Sequence, residues 1–408
     1  MAKDVNPPRG MRDFLPQEKL QREQVLARIR GAYRSHGFQE IETPALEDIA
    51  KLTSGQGGDN EKLAYRVLKR GAELEAALAT GEETELSDLG LRFDLTVPLT
   101  RYYATNRKDL PTVFKAIQIG PVWRAERPQK GRYRQFVQCD IDIIGDESNL
   151  AEVDLLVSSL DALAALGLQD AQIRVNHREL LNKNLASLGV EETARPSAMI
   201  TIDKLDKIGV EGVVAELRER QGDAVAEKAQ TWLETLSSEQ PVPEELAFIF
   251  DAVASRFPGR LRFDPTLVRG MGYYTGAIFE IEHPESGSSI GGGGRYDDMV
   301  GRWLATDVAA VGISLGFERV VDLVDAGKFS SRPNSAVLVL ENQNAATVAN
   351  ALARQKELQD FGTEVRLENR PKKLNLLLEA LGAAGFDKFA TVDETTLTFE
   401  DLNLREIA

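Results

Sequence analysis

The chain has 408 residues, too many for one ordinary core, so two or three domains are expected. Its composition, 42% hydrophobic and 28% charged, is that of a folded globular protein, and no apolar run is long enough to span a bilayer. A single cysteine, Cys139, excludes an intramolecular disulfide and a thiolate metal cage, three scattered histidines argue against a histidine-built one, and a formal charge of −15 argues against a chain coated in nucleic acid.

The N-terminal stretch Met1–Arg12 carries charge but no apolar leader segment, which makes the cytoplasm the default location. Leu20, Ile29 and Tyr33 at helical spacing predict a first helix from about Gln17 to His36, stopped at Gly37. Residues 61–88 are rich in Glu, Ala and Leu and read as helical or irregular, whereas 91–145 read as strands. A helix follows, with Asn149 placed to cap it and Val153, Leu156, Val157, Leu160 and Leu163 as its buried stripe. Ile173–His177 is a short strand. The stretch 178–258 is helical, polar-rich and free of chemical motifs, as an inserted module would be. Strand patterns return at Leu267–Ile281 and Val308–Leu315, and a helix runs through Val324. After the linker-like Phe329–Ser335 come strand Ala336–Leu340, helix Ala345–Phe361, strand Glu364–Leu367, helix Lys373–Ala384 and strand Lys388–Val392. That βαβα order implies a small parallel or mixed sheet covered by helices.

Chemistry concentrates in four segments. Between Arg101 and Arg134 nine Lys or Arg face two acids, a local charge of +7 inside an acidic protein. Five of those cations crowd the hairpin Arg124–Arg134, where they would repel one another without an anion, and arginine forks suit carboxylate and phosphate oxygens. The next strand, Arg134–Ile143, alternates with period two: Val137, Cys139, Ile141 and Ile143 form a core face, and Gln138, Asp140 and Asp142 a polar one. Half-solvated strands are often polar on one face, but here the polar face adjoins the cationic hairpin. Segments 267–276 and 289–297 set Arg269, Tyr274 and Tyr296 among glycines, which let backbone approach a ligand closely. Arg319 falls in the first turn of a helix, where the dipole disfavours a cation, so an anion-binding role suits it. These features imply a bound polyphosphate and a small polar substrate. Any metal would be a hard cation held by carboxylates and phosphate oxygens, and no protein-built metal site is expected.

Arg124-x-Glu126 with its loop resembles motif 2 of the class II aminoacyl-tRNA synthetases, Gly316–Arg319 resembles their motif 3, and Thr43-Pro44 after a long helix is similar to motif 1. Segments 269–276 and 292–297 look like the two histidine-specific motifs of histidyl-tRNA synthetases, and Pro8–Pro16 and Leu91–Pro98 also resemble that family. The resemblance implies an α+β fold: an antiparallel sheet core with flanking helices, an inserted helical domain and a small C-terminal α/β domain that binds the anticodon. On that pattern 1–170 and 259–328 form the catalytic core, 171–258 the insertion and 335–408 the C-terminal domain. The family's reaction joins L-histidine and ATP to histidyl-adenylate, with Mg²⁺ sharing the phosphate charge, and passes the histidyl group to tRNA(His). The family is homodimeric. By position, the resemblance gives Arg124 the α-phosphate and the substrate carboxylate, Glu126 the adenine end, and Arg132 and Arg319 the outer phosphates. It gives Arg269 the α-phosphate as it becomes pentacovalent. Asp94, Thr96 and Gln138 take the α-amino group, and Asp142, Tyr274 and Tyr296 the imidazole, which offers one donor and one acceptor. Arg127 and Gln129 are placed for the tRNA acceptor stem, and Arg366, Arg370, Lys372 and Lys373 for phosphates elsewhere on the tRNA.

Two departures stand out. Gly272 occupies a position where the family usually has Asp, and Asp142 one where bacterial members often carry Glu. Rival readings are a synthetase-like regulatory subunit of ATP phosphoribosyltransferase, which binds histidine without activating it, and a ligase for a non-tRNA acceptor. Retention of Arg124, Arg269 and Arg319 favours a catalyst.

Overall fold

The computed structural model describes residues 5–53, 63–128, 131–236, 240–269, 273–304, 306–329 and 334–407. Its elements begin with α1 (Pro16–Ser35), β1 (Gln39–Glu40), β2 (Leu46–Asp48), α2 (Ile49–Leu52), β3 (Arg66–Leu68), α3 (Gly71–Thr80) and β4 (Ser87–Leu91). Then come α4 (Thr96–Asn106), β5 (Phe114–Trp123), β6 (Gln135–Ile144), α5 (Leu150–Ala165) and β7 (Gln172–His177). Five helices follow, α6 (Arg178–Leu188), α7 (Arg195–Ile202), α8 (Leu205–Gln221), α9 (Asp223–Thr235) and α10 (Glu244–Ala254). The chain re-enters the sheet through β8 (Leu261–Phe263), β9 (Ala277–Glu282) and β10 (Gly291–Arg295), then α11 (Asp297–Leu304), β11 (Ala310–Gly316) and α12 (Phe317–Leu323). The last elements are β12 (Ser335–Leu340), α13 (Ala345–Asp360), β13 (Glu364–Asn369), α14 (Leu374–Ala383), β14 (Lys388–Val392) and β15 (Arg405–Glu406).

The chain divides into two compact units, Met1–Arg12 with Ala27–Val324, and Asp13–Leu26 with Asp325–Ala408. The first is built on an eight-stranded sheet of order β1-β5-β6-β11-β10-β9-β7-β8, antiparallel from β5 through β7 and closed at each edge by a parallel strand. Its core gathers Phe93, Leu99, Phe114, Ile144, Ile278 and Tyr296 with buried residues of the inserted helices, such as Leu181, Met199 and Val213. In the second unit β12 is central, with β13 and β14 parallel beside it. All six β12 residues are buried, Leu338 and Leu340 in one cluster and Val337 and Val339 in another, because helices cover both faces.

Three local expectations are corrected. The reading of 91–145 as strand misses α4, whose Thr96-Val97-Pro98 start suits a first turn, where proline's missing N–H costs nothing. The described residues among 267–276, 267–269 and 273–276, are not strand; β9 begins only at Ala277. Asn149 occupies the cap position of α5, but its side chain makes no capping hydrogen bond.

Candidate active site

Strand β6 sets the floor. Its register pairs Gln138, Asp140 and Asp142 with Gly316, Ser314 and Gly312 on β11, and Gly312 in turn with Gly294 on β10. A β-carbon at Gly312 would come within 1.9 Å of Asp142 Oδ1, so the bare backbone there makes room for the carboxylate. Tyr296, at the end of β10, donates its hydroxyl to Asp142 Oδ1 at 2.5 Å, and both side chains are buried. Tyr273 and Tyr274 meet edge-on, with centroids 4.8 Å apart, and Tyr273 lies within hydrogen-bonding reach of Thr96. Gln138 Nε2 donates to Ser314 Oγ at 3.2 Å, while its buried Oε1 has no partner among the described residues.

Asp94 is positioned through its neighbours. Arg124 Nε donates to Phe93 O (2.9 Å) and Gln118 Nε2 to Leu95 O (2.6 Å), so the carbonyls on both sides of Asp94 are held. Gln118 itself accepts from Thr43 Oγ1, and buried Arg92 donates to Thr43 O and Pro121 O. The Thr43-Pro44 segment thus braces the Arg92–Leu95 turn from beneath, which sequence alone did not show.

Asp94, Asp140 and Asp142 form a negative end. Burial pushes the Asp142 carboxyl up to about 7; the Tyr296 bond pulls it back and the Asp94 charge adds to the rise. Asp140 is driven well above the usual carboxylate range by burial and then by Asp142. Arg132, Arg269 and Arg319 make up a positive end, and Arg124 lies between the two, within reach of the charges of both Asp94 and Glu126. Burial lowers the pKa of Arg319, and the positive charges of Arg132 and Arg269 lower it further. Burial likewise lowers Arg124, whose side chain makes no hydrogen bond beyond Phe93 O among the described residues. All of these side chains line one cavity of about 870 Å³, with Thr96, Glu126, Gln138, Tyr274 and Tyr296. At the basic end Glu126, Glu280 and Glu318 share the lining with the arginines.

Not every expected residue falls there. Arg127 is exposed and does not line the cavity, and Gln129 and Gly272 lie outside the described residues. Arg295 and Asp297, which close the glycine segment, serve the scaffold: Arg295 grips buried Glu152 of α5 through two bonds of 2.6 and 2.7 Å, and Asp297 Oδ1 accepts from Ala310 N. Arg319 donates to Ser289 O, so part of its fork is already engaged. In the second unit Arg366 pairs with Glu368 and Arg370 with Glu341, and Lys372 and Lys373 are the cations of that patch with no ion pair among the described residues. Asp140, Tyr273 and Glu280 also line the cavity without having been singled out as ligand contacts.

The N-terminal segment closes the floor from outside. Arg134 N donates to Gly10 O at 2.8 Å, and Arg12 stacks over Tyr133 and pairs with Glu318, whose other oxygen accepts from Val137 N.

The profile of the histidyl-tRNA synthetase family matches residues 10–320. This chain belongs to the histidyl-tRNA synthetase family. It is 53% identical to the histidine–tRNA ligase of Leifsonia xyli subsp. xyli, over 97% of each chain. It is 41% identical to the probable histidine–tRNA ligase of Tropheryma whipplei (strain Twist), over 95% of this chain and 96% of that one. Among solved structures, histidyl-tRNA synthetase from Nostoc sp. PCC 7120 superposes with a TM-score of 0.78 at 27% identity, covering 99% of this chain and 97% of that one. A Bacillus halodurans protein described as an ATP phosphoribosyltransferase regulatory subunit/histidyl-tRNA synthetase gives 0.74 at 18% identity, over 95% and 97% of the two chains, which speaks to the fold alone.

Proposed function

We propose that the chain is a histidine–tRNA ligase: it joins L-histidine to ATP, forming histidyl-adenylate and pyrophosphate, and passes the histidyl group to the terminal ribose of tRNA(His). The observation that carries this reading is a single cavity with three carboxylates at one end, three arginines at the other and Arg124 between them, in a family member 53% identical to a histidine–tRNA ligase.

The amino acid's ammonium group fits Asp94, Thr96 and Gln138, and its imidazole fits Asp142 with Tyr274 and Tyr296. An apolar isostere would leave that carboxylate and those hydroxyls buried and unpaired. Arg124 then orients the substrate carboxylate toward the α-phosphorus, and Glu126 takes the adenine end. In the first step a carboxylate oxygen attacks the α-phosphorus and the bond to pyrophosphate breaks. Charge grows on the α-phosphate as this happens, and Arg269 meets it from a preorganised position. Arg132 and Arg319 hold the departing pyrophosphate. The carboxylates lining this end, Glu126, Glu280 and Glu318, are each paired with an arginine. Mg²⁺ therefore fits there as a companion of the phosphate oxygens, whose charge it would share. Arg127 and Gln129 are assigned to the acceptor stem. The 335–408 segment is assigned to the anticodon, with Lys372 and Lys373 as its phosphate contacts. The homodimeric state and the cytoplasmic location rest on the family likeness; no helix among the described residues is long and apolar enough to cross a membrane.

Histidine-dependent exchange of pyrophosphate into ATP tests the activation step. Arg269→Ala should reduce that exchange by about 10²–10³-fold, the usual cost of losing one transition-state donor, while histidine binding measured by calorimetry stays intact. Exchange at wild-type rate in that variant would remove the catalytic assignment. Charging of tRNA(His), assayed separately, distinguishes a tRNA ligase from a ligase for another acceptor.

A further inference from the structure

One row of residues crosses the sheet from end to end of the cavity floor. Register places Asp140 opposite Ser314, Ser314 opposite Gly292, Gly292 opposite Glu280, Glu280 opposite Arg174, and Arg174 opposite Arg262. At Gly292 the row has no side chain, and the Arg269 guanidinium occupies the gap: a β-carbon there would lie 2.8 Å from its Cζ. Glu280, next in the row, divides its two oxygens. Oε2 accepts from Arg269 Nη1 at 2.7 Å, and Oε1 accepts from Arg174 Nη1 at 3.1 Å. Arg174 is itself fixed by buried Asp264, with bonds of 2.7 and 2.6 Å, and Asp264 accepts from the backbone N and hydroxyl of Thr266. Arg174 also reaches Glu282 on β9 and Asp206 on α8 of the helical insertion. Arg269 sits beside the undescribed 270–272 stretch, and its Nε is buried without a hydrogen-bond partner among the described residues. Among the described residues its polar tether is Glu280.

We propose that Glu280 is a positioning residue for the activation step, anchored by Arg174, and that it holds the Arg269 fork over Gly292 where the α-phosphate is to arrive. The inference rests on the catalytic reading of Arg269. Glu280 touches no reacting atom in this scheme. Its carboxylate sets the direction of the fork, and the Arg174–Asp264 pair sets the direction of the carboxylate. Asp206, 73% exposed, meets Arg174 from the solvent side and is not needed to fix it, since buried Asp264 already does so.

The test is steady-state pyrophosphate exchange and calorimetric histidine binding with full-length Arg269→Ala, Glu280→Gln, Glu280→Asp and Asp206→Asn proteins. Glu280→Gln, which keeps shape and loses charge, should lower kcat by about 10–100-fold, since displacing a catalytic group by about 1 Å can cost that much. KM for histidine, histidine affinity and the melting temperature should change little. Glu280→Asp should recover part of kcat, and Asp206→Asn should stay within about twofold of wild type, as expected of an exposed ion pair. Wild-type kcat in Glu280→Gln, with Arg269→Ala inactive, would overturn the positioning role and leave the catalytic reading standing. Wild-type exchange in Arg269→Ala would overturn both. If Glu280→Gln unfolds, Glu280→Asp decides: the proposal needs its kcat lowered with histidine affinity kept, and a loss of both would overturn it.

Discussion

At the negative end of the cavity, Asp142 is 3% exposed and Tyr296 1%, and they are bonded to each other. At the positive end, the Arg132 side chain is 45% exposed and its ion pair with Glu126 spans 3.3 Å. Both ends are charged, but they hold that charge differently. The buried carboxylates bear their desolvation within a rigid sheet, so a ligand must match them closely. The arginines are tethered at one nitrogen or carboxylate each and keep donors open for a large, flexible anion. The contrast assigns amino-acid selection to the first end and phosphate handling to the second.

The hardest blow to the comparison is Asp142→Asn. Losing the charge at a buried hydrogen-bonding site should lower kcat/KM for histidine on the order of 100-fold, in line with the roughly 1.5–3 kcal/mol of a hydrogen bond to a charged group. The same variant tests the electrostatics without any substrate. The folded-state pKa of Asp142 stands at about 7, above its ordinary 3.8. Its contribution to stability is therefore complete below about pH 4 and is lost as pH rises through 7. The ligand-free wild type should thus lose melting temperature between about pH 4 and 7 more steeply than Asp142→Asn, a difference on the order of 4 kcal/mol at about 1.4 kcal/mol per unit. Parallel pH profiles would show that Asp142 does not carry the buried charge. Tyr296→Phe is milder. It removes the bond that pulls Asp142 down, so the carboxyl should climb further and histidine affinity should fall about tenfold, the value of a typical net hydrogen bond; unchanged affinity would detach the phenol from recognition. Arg132→Ala should raise KM for ATP by less than about fivefold and leave KM for histidine alone, because exposed ion pairs contribute little. A larger effect on histidine than on ATP would erase the distinction between the ends.

Arg124 and Arg132 could be read from the chain because they fall in a hairpin, Arg124–Arg134, that holds four arginines and Lys130. The two faces of β6 are equally legible, since its sequence alternates with period two although Cys139–Ile144 are buried on both faces. In the second unit the βαβα alternation predicts every principal element, but not the short antiparallel β15, whose two residues carry no pattern. What stayed hidden depends on distant partners. The task of Arg295 shows only when Glu152, 143 positions away, is found beside it. Glu280 reads as ordinary polar alternation on β9, and only the register with β7 and the seat at Gly292 give it a task. The glycines of β10 carry no strand pattern of their own, because strand propensity is set by neighbours and not by the residue alone.

Those glycines also bear on how the gene can drift. A β-carbon at 291, 292, 293 or 294 would come within 2.7, 2.6, 1.9 or 2.7 Å of a main-chain carbonyl oxygen on an adjacent strand. Every missense change in a glycine codon adds at least that carbon. Four consecutive codons thus have no conservative neighbour, and a carbonyl cannot swing aside as a side chain can. This short tract should be the most intolerant stretch in a saturation library, ahead of the charged residues it serves, because a lost arginine impairs one step whereas an added methyl pries the sheet apart.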